Sequence, residues 1–324
     1  MTSPERYTVE HETRYAYTAP VSQSWQLARL TPRVLPWQRL LSHSLQIDPP
    51  PDERRDELDS FGNMVTHFGM HGAHRVLRVR MACLVEVSER PAVATAVPAL
   101  VQSQLQSHGQ DGSAMQSQAQ GLAPVFTEAS WESVYEAIRR EPQQDDLVPA
   151  SMSEATPLVP LSEGARQYAA RSFTRGRPWF EAVFELMQRI HDEFEFQPGA
   201  TTVSTSVDEV LYQRRGVCQD FAHLMLACLR GLGLPARYVS GYLLTDPPPG
   251  MPRLMGVDAS HAWVAAYSPQ HGWVEFDPTN RQLADTRYIT LTWGADFADV
   301  VPLRGVILGG GDQHMDVEVS VIPA

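Results

Sequence analysis

The chain has 324 residues, long enough for two domains at roughly 100 to 200 residues each, and either can bury a core. Apolar residues make up 43% and charged residues 20%, the composition of a globular protein, which excludes a chain disordered along most of its length. Lys plus Arg is 26 and Asp plus Glu is 38, a formal charge of −12, which weighs against sequence-independent binding to nucleic acid or to an anionic membrane.

The opening Met1-Thr-Ser-Pro-Glu-Arg-Tyr7 lacks the apolar centre of a signal peptide, and no run approaches the ~20 apolar residues of a spanning helix, so a cytoplasmic location is expected. Three cysteines, Cys83, Cys218 and Cys228, are too few for a disulfide framework and odd in number, which leaves buried or reactive thiols.

From Tyr7 to about Val87 apolar and polar residues alternate in short runs, as in Tyr7 to Tyr17 and Val76 to Val87, and this period of two predicts half-buried antiparallel strands. Pro49-Pro50-Pro51 and Ser60-Phe-Gly-Asn63 supply the turns. Residues 1–100 are therefore expected to form an all-β, sandwich-like domain. Residues 102–121 contain seven Gln and four Ser with almost no large apolar side chains, too little burial to offset ordering entropy, so 101–125 reads as a linker or inserted loop. Residues 126–324 read as an α+β domain. Helical spacing begins at Trp131, and Val183, Leu186, Ile190 and Phe194 recur at three and four within 179–194, predicting a core-facing helix. A Pro198-Gly turn and a short run to Leu211 lead to a second helix over 218–232, followed by strand-like runs at 236–244, 261–267 and 272–277.

Chemistry concentrates in the later part. Gly216 precedes the second helix and Gly231, Gly233 and Pro235 end it, which puts Cys218 in its first turn. At 100° per residue Met225 and Leu229 fall within about 20° of Cys218, so the sulfur heads the buried stripe. A thiol there lies beside unpaired backbone N–H groups and the positive end of the helix dipole, a setting for a nucleophile. Asp220 adds negative charge nearby, so a cationic partner is needed. His261, Trp263 and Tyr267 share one face of the strand that follows, and Trp273, Glu275 and Asp277 share one face of the next. Pairing of the two strands odd with odd brings His261 and Asp277 to the same side, and a slip by one separates them. Cys218, His261 and Asp277 are then nucleophile, base and orienting carboxylate. Taken singly, each has a plain reading, a core thiol or a satisfied polar pair; their joint occurrence favours catalysis.

At these residues the sequence resembles the bacterial transglutaminase-like superfamily. The resemblance rests on Gly216-Val-Cys-Gln-Asp-Phe-Ala-His223, Leu229 to Tyr242, His261-Ala-Trp263 and Gly272-Trp-Val-Glu-Phe-Asp-Pro-Thr279. His11, Tyr15, Tyr17, Pro20-Val and Asp59-Ser-Phe-Gly-Asn63 look like the β-rich region preceding many bacterial members. The resemblance implies a papain-like, transglutaminase-like core with Cys218, His261 and Asp277 as triad, a thioester intermediate, and no metal or cofactor. It implies a peptide or amide substrate and, from relatives alone, partners of ATP-grasp-like and helical type. Two segments depart from the pattern: Gly294-Ala-Asp-Phe-Ala-Asp-Val-Val-Pro302 has Ala295 and Phe297 where relatives carry Arg and Tyr, and Phe194-Glu-Phe-Gln-Pro-Gly lacks a usual Tyr.

Several residues read two ways. Gln219 and Asp220 are either solvated helix-start residues or assistants to the thiol or the substrate. Trp263 is a cleft wall or core. His223 lies about 140° around the helix from Cys218, which disfavours a shared zinc ion. Cys83 and Cys228 read as core, and the aromatics of 11–17 as sheet packing. Hydrolysis of an amide or isopeptide is the expected activity, with transamidation, a catalytically silent peptide-binding module and a metal hydrolase as alternatives.

Overall fold

The longest alternation of buried and exposed residues becomes the longest strand, β1 (Glu5–Ala28), in a computed structural model that describes residues 4–90, 128–140, 150–245 and 260–324. After β1 come β2 (Gln38–Asp48), β3 (Glu53–Leu58), β4 (Met64–Met70) and β5 (His74–Val87). Helices α1 (Trp131–Arg139), α2 (Glu163–Ala170) and α3 (Trp179–Glu193) follow, then β6 (Glu195–Phe196), α4 (Val207–Gln213), β7 (Arg215–Gly216) and α5 (Cys218–Gly231). The remaining strands are β8 (Ala236–Leu243), β9 (Ser260–Ser268), β10 (Gly272–Asp277), β11 (Gln282–Leu283), β12 (Tyr288–Gly294), β13 (Leu303–Gly309) and β14 (Gln313–Pro323), with a 3-10 turn at Phe297–Asp299. The expected linker, 101–125, lies outside the described residues. No helix among the described residues is long and apolar enough to cross a membrane.

Two compact units divide the chain: Met1–Arg90 with Arg237–Val264 and Ala284–Ala324, and Pro91–Ala236 with Ala265–Leu283. In the first unit β1 is flanked on one edge by β5 and then β4, and on the other by β14 and then β13, all antiparallel. β2 extends the sheet beside β5, and β3 beside β4. Every ribbon breaks at the same level: β1 shifts register between Ala16 and Val21, Pro49 to Pro51 separate β2 from β3, residues 71–73 separate β4 from β5, and Gly309, the last residue of β13, leads through Gly310 and Gly311 to β14. Proline cannot donate to the ladder, and these three glycines have φ of 89°, 89° and 63°, so the break is written in residues that regular strand geometry disfavours.

The final strands, which the sequence groups with the second region, run along β1 in the first unit. β1 needs a partner for its second edge, and Val319 and Val321 present buried side chains beside His11 and Val9. The inner face of this sheet, including Val9, Leu77, Val79, Met81 and Val85, packs with Tyr242 of β8 and Ile289 and Leu291 of β12 in one apolar cluster. The unit also holds strands of a separate sheet in the order β12-β8-β9, with β12 antiparallel to β8. Gly241 allows this spacing, because a Cβ there would clash with the Ile289 carbonyl oxygen and stand 2.6 Å from the Trp263 ring.

The second unit is built around α5, whose residues from Asp220 to Arg230 are all buried. α3 presents Val183, Leu186 and Ile190 inward, as the spacing predicts, and Trp179 stacks on His271 and meets Phe276 edge-on. The run to Leu211 is helical, α4. Its start is set by a capping box in which Ser206 Oγ accepts from Glu209 N–H at 3.2 Å and Glu209 accepts from Ser206 N–H at 2.9 Å. The α5 C-terminus closes with Gly233 at φ 74° and Leu234 N–H donating to Leu229 O at 3.0 Å. Strands in this unit follow the order β9-β10-β11.

Candidate active site

Cys218 is the first residue of α5 and is half-exposed, while the helix behind it is buried. The chain is held as it enters the helix. β6 and β7 pair in parallel, with Glu195 N–H donating to Arg214 O and Gln197 N–H to Gly216 O, each at 2.9 Å. The N-cap, Val217, is extended and has no side-chain oxygen to cap the helix. Asp220, three residues on, supplies the other half of a capping box: its Oδ2 accepts the Val217 N–H at 2.7 Å. The same oxygen accepts the Thr201 hydroxyl at 2.6 Å.

Gly216 is required for this arrangement. A Cβ at that position would lie 2.8 Å from both Cβ and Oδ2 of Asp220, closer than carbon tolerates. Burial pushes the Asp220 carboxyl above its ordinary range, and the bonds from Thr201 and Val217 pull it back. Gln219 is half-exposed at the same helix start.

Asp277 ends β10 in the same unit and has no exposed surface. Its Oδ1 accepts the N–H of Thr279 at 2.8 Å and of Asn280 at 3.2 Å, and its Oδ2 accepts Asn280 Nδ2 at 2.7 Å. This Asx turn follows from local sequence: Pro278 stops the ladder, and the next amides fold back on the carboxylate. Tyr267 of β9 and Trp273 of the neighbouring β10 meet with ring centroids 5.3 Å apart.

His261 is half-exposed near the start of β9, and the first unit contains it. Its ring lies nearly parallel to Trp263, centroids 6.1 Å apart and planes 26° apart, and tilted against Tyr288 at 6.1 Å. Trp263 is fully buried and meets Tyr288 edge-on at 5.3 Å. Of the residues singled out in the sequence, Cys218, Gln219, Asp220 and Asp277 thus belong to the second unit, and His261 and Trp263 to the first.

His223 and Cys228 are buried, and burial pushes the Cys228 thiol up; Cys83 is pushed up to about 12 by the same cause. Among the described residues no three His, Cys, Asp or Glu side chains group as metal ligands. The two departing segments are packed: Phe194 meets Tyr168 and Phe221 edge-on, and Phe297 meets Tyr238. Sequence reasoning missed Thr201 and Asn280. The Asp277-Pro-Thr-Asn280 spacing is an Asx-turn signal that could have found Asn280. Nothing local marks Thr201, which meets Asp220 only through folding.

Residues 7–86 match the family described as the bacterial transglutaminase-like N-terminal region, and residues 166–278 match the transglutaminase-like superfamily. A Mycobacterium tuberculosis (strain ATCC 25618 / H37Rv) protein, named only as uncharacterized, is 40% identical over 330 residues, covering 100% of this chain and 94% of its own. An uncharacterized Mycobacterium leprae protein is 30% identical over 319 residues, with 98% of each chain covered. A Pseudomonas aeruginosa protein named protein-glutamine gamma-glutamyltransferase is 37% identical over 102 residues, 30% of this chain and 15% of that one. Among solved structures, a protein from Cytophaga hutchinsonii whose name assigns it to the cysteine proteases superposes with a TM-score of 0.68 at 18% identity, covering 99% of this chain and 91% of that one. That likeness establishes a common fold.

Proposed function

This chain belongs to the transglutaminase-like superfamily, and on that premise we propose that it is a cysteine-dependent acyl-transfer enzyme that cleaves amide or isopeptide bonds through a thioester. The observation that carries the reading is the position of Cys218: a half-exposed thiol at the head of a buried helix whose entry is held by a capping carboxylate. A residue serving only as core would be sealed like Cys228.

In this reading Cys218 Sγ attacks the amide carbonyl carbon and His261 takes the thiol proton. The C–N bond then breaks, His261 returns the proton to the leaving amine, and the acyl group stays on sulfur as a thioester. Water attacks the thioester next and His261 accepts its proton; the C–S bond then breaks, the carboxylic acid departs, and His261 returns the proton to the Cys218 sulfur. Asp277 holds the imidazole, and the amides of Thr279 and Asn280 keep its carboxylate in one orientation. The Cys218 backbone N–H, at a helix start where amides lack intrahelical partners, is one donor for the developing oxyanion.

Transfer to an amine in place of water is the second reading, favoured by the stretch shared with the gamma-glutamyltransferase. Peptide-resolved alkylation with iodoacetamide at neutral pH tests the common core. Cys218 is expected to label about tenfold or more faster than free cysteine and to lose that advantage in His261→Ala. Slow labelling of the wild type refutes the enzyme reading. Incubation of the reactive wild type with a cell peptide extract, with and without added lysine, then separates water from amine as acceptor by the mass of the products.

A further inference from the structure

Thr201 sits in the segment between β6 and α4, seventeen positions before the proposed nucleophile, and no sequence pattern links the two. Its hydroxyl donates to Asp220 Oδ2 at 2.6 Å, and Asp220 is only 3% exposed. That oxygen also holds the N–H of Val217, the residue from which Cys218 continues. Gly216 lies directly under the Asp220 side chain, with no room for a Cβ. Two separate pieces of chain, the 197–206 segment and the continuous run from the β7 end through the first turn of α5, are therefore tied through one carboxylate oxygen.

We propose that Thr201 is a positioning residue for Cys218, acting through Asp220 to hold the Gly216–Val217 turn in the one conformation that presents the thiol at the helix start. The proposal rests on the reading of Cys218 as nucleophile. The physical argument is one of satisfaction. Val217 has no side-chain cap to return, so the helix start depends wholly on Asp220, and a buried carboxylate needs donors to stay in place. Val217 N–H alone leaves it free to rotate about its χ angles. A second donor from a different chain segment fixes the rotamer, because both hydrogen bonds converge on Oδ2. The Thr201 methyl and hydroxyl are separable by chemistry: valine keeps the shape and removes the donor, and serine keeps the donor and removes the methyl.

Two measurements on the full chain test this, each on wild type, Thr201→Val and Thr201→Ser. Amide hydrogen exchange reads the turn at Val217, and iodoacetamide labelling at neutral pH reads the thiol. Thr201→Val is expected to lower protection of Val217 and the Cys218 labelling rate each by about tenfold, the scale of one hydrogen bond to a charged group, and to lower the thermal midpoint by a few degrees. Thr201→Ser is expected to restore both to within about threefold of wild type, a rescue that loss of packing alone would not give. Labelling of Thr201→Val at the wild-type rate, or a serine variant as slow as the valine one, overturns the proposal. A wild type whose Cys218 labels no faster than free cysteine overturns the nucleophile reading itself, an outcome distinct from fast wild-type labelling that Thr201 does not affect.

Discussion

Acidification should destabilise the first unit in part through the buried imidazole of His11. His11 is 1% exposed, with Nδ1 at 2.9 Å from Tyr242 Oη and Nε2 at 3.1 Å from Thr13 Oγ1. Desolvation lowers its pKa from 6.5 to about 4. The folded value lies below the unfolded one, so the native state binds fewer protons and its stability falls as pH falls. The neutral ring contributes fully above about pH 6.5, and the contribution is lost progressively between pH 6.5 and about pH 4. The full span of about 2.5 pH units corresponds to roughly 3 kcal/mol, of which about 2 kcal/mol is lost on going from neutrality to about pH 5. Urea denaturation at a series of pH values measures this directly, with His11→Gln as reference because it keeps polar contacts and does not titrate. Other groups contribute to both proteins, so the quantity of interest is the difference between their slopes. Wild type should lose about 2 kcal/mol more than the variant between neutral pH and about pH 5. Parallel curves would refute the argument, showing that the imidazole gains a compensating partner or is hydrated when protonated.

Gly241→Ala places a methyl against the Ile289 carbonyl and 2.6 Å from the Trp263 ring, so β8 and β12 must separate. The expected loss is about 3 kcal/mol or more, seen as reduced soluble yield and a lower urea midpoint; a wild-type midpoint would show slack between these strands. In the second unit Glu193 receives Arg171, Arg189 and Arg214, and Arg189 is only 13% exposed. Glu193→Gln should cost about 1 to 3 kcal/mol because it leaves a nearly buried guanidinium short of its carboxylate, whereas Arg171→Gln at the exposed edge should cost less than about 1 kcal/mol. Equal costs in chemical denaturation would contradict this ranking.

The features legible in the amino-acid order were those that depend on neighbours a few positions away. The period of two in 7–87, the three-and-four spacing of Val183, Leu186 and Ile190, the Gly216 and Gly233 boundaries of α5 and the place of Cys218 at its first position all reflect local geometry. The run to Leu211 was less legible because α4 owes its start to the Ser206–Glu209 box rather than to apolar periodicity. Tertiary structure alone decided which distant segments share a sheet or a carboxylate. β13 and β14 lie along β1 because that strand has a second edge whose amides and carbonyls must be paired, a demand that alternation within β14 does not express. Thr201 reaches Asp220 for a similar reason: a buried carboxylate takes its donors from whatever the fold brings within about 3 Å, and no rule of spacing along the chain foretells which hydroxyl that is.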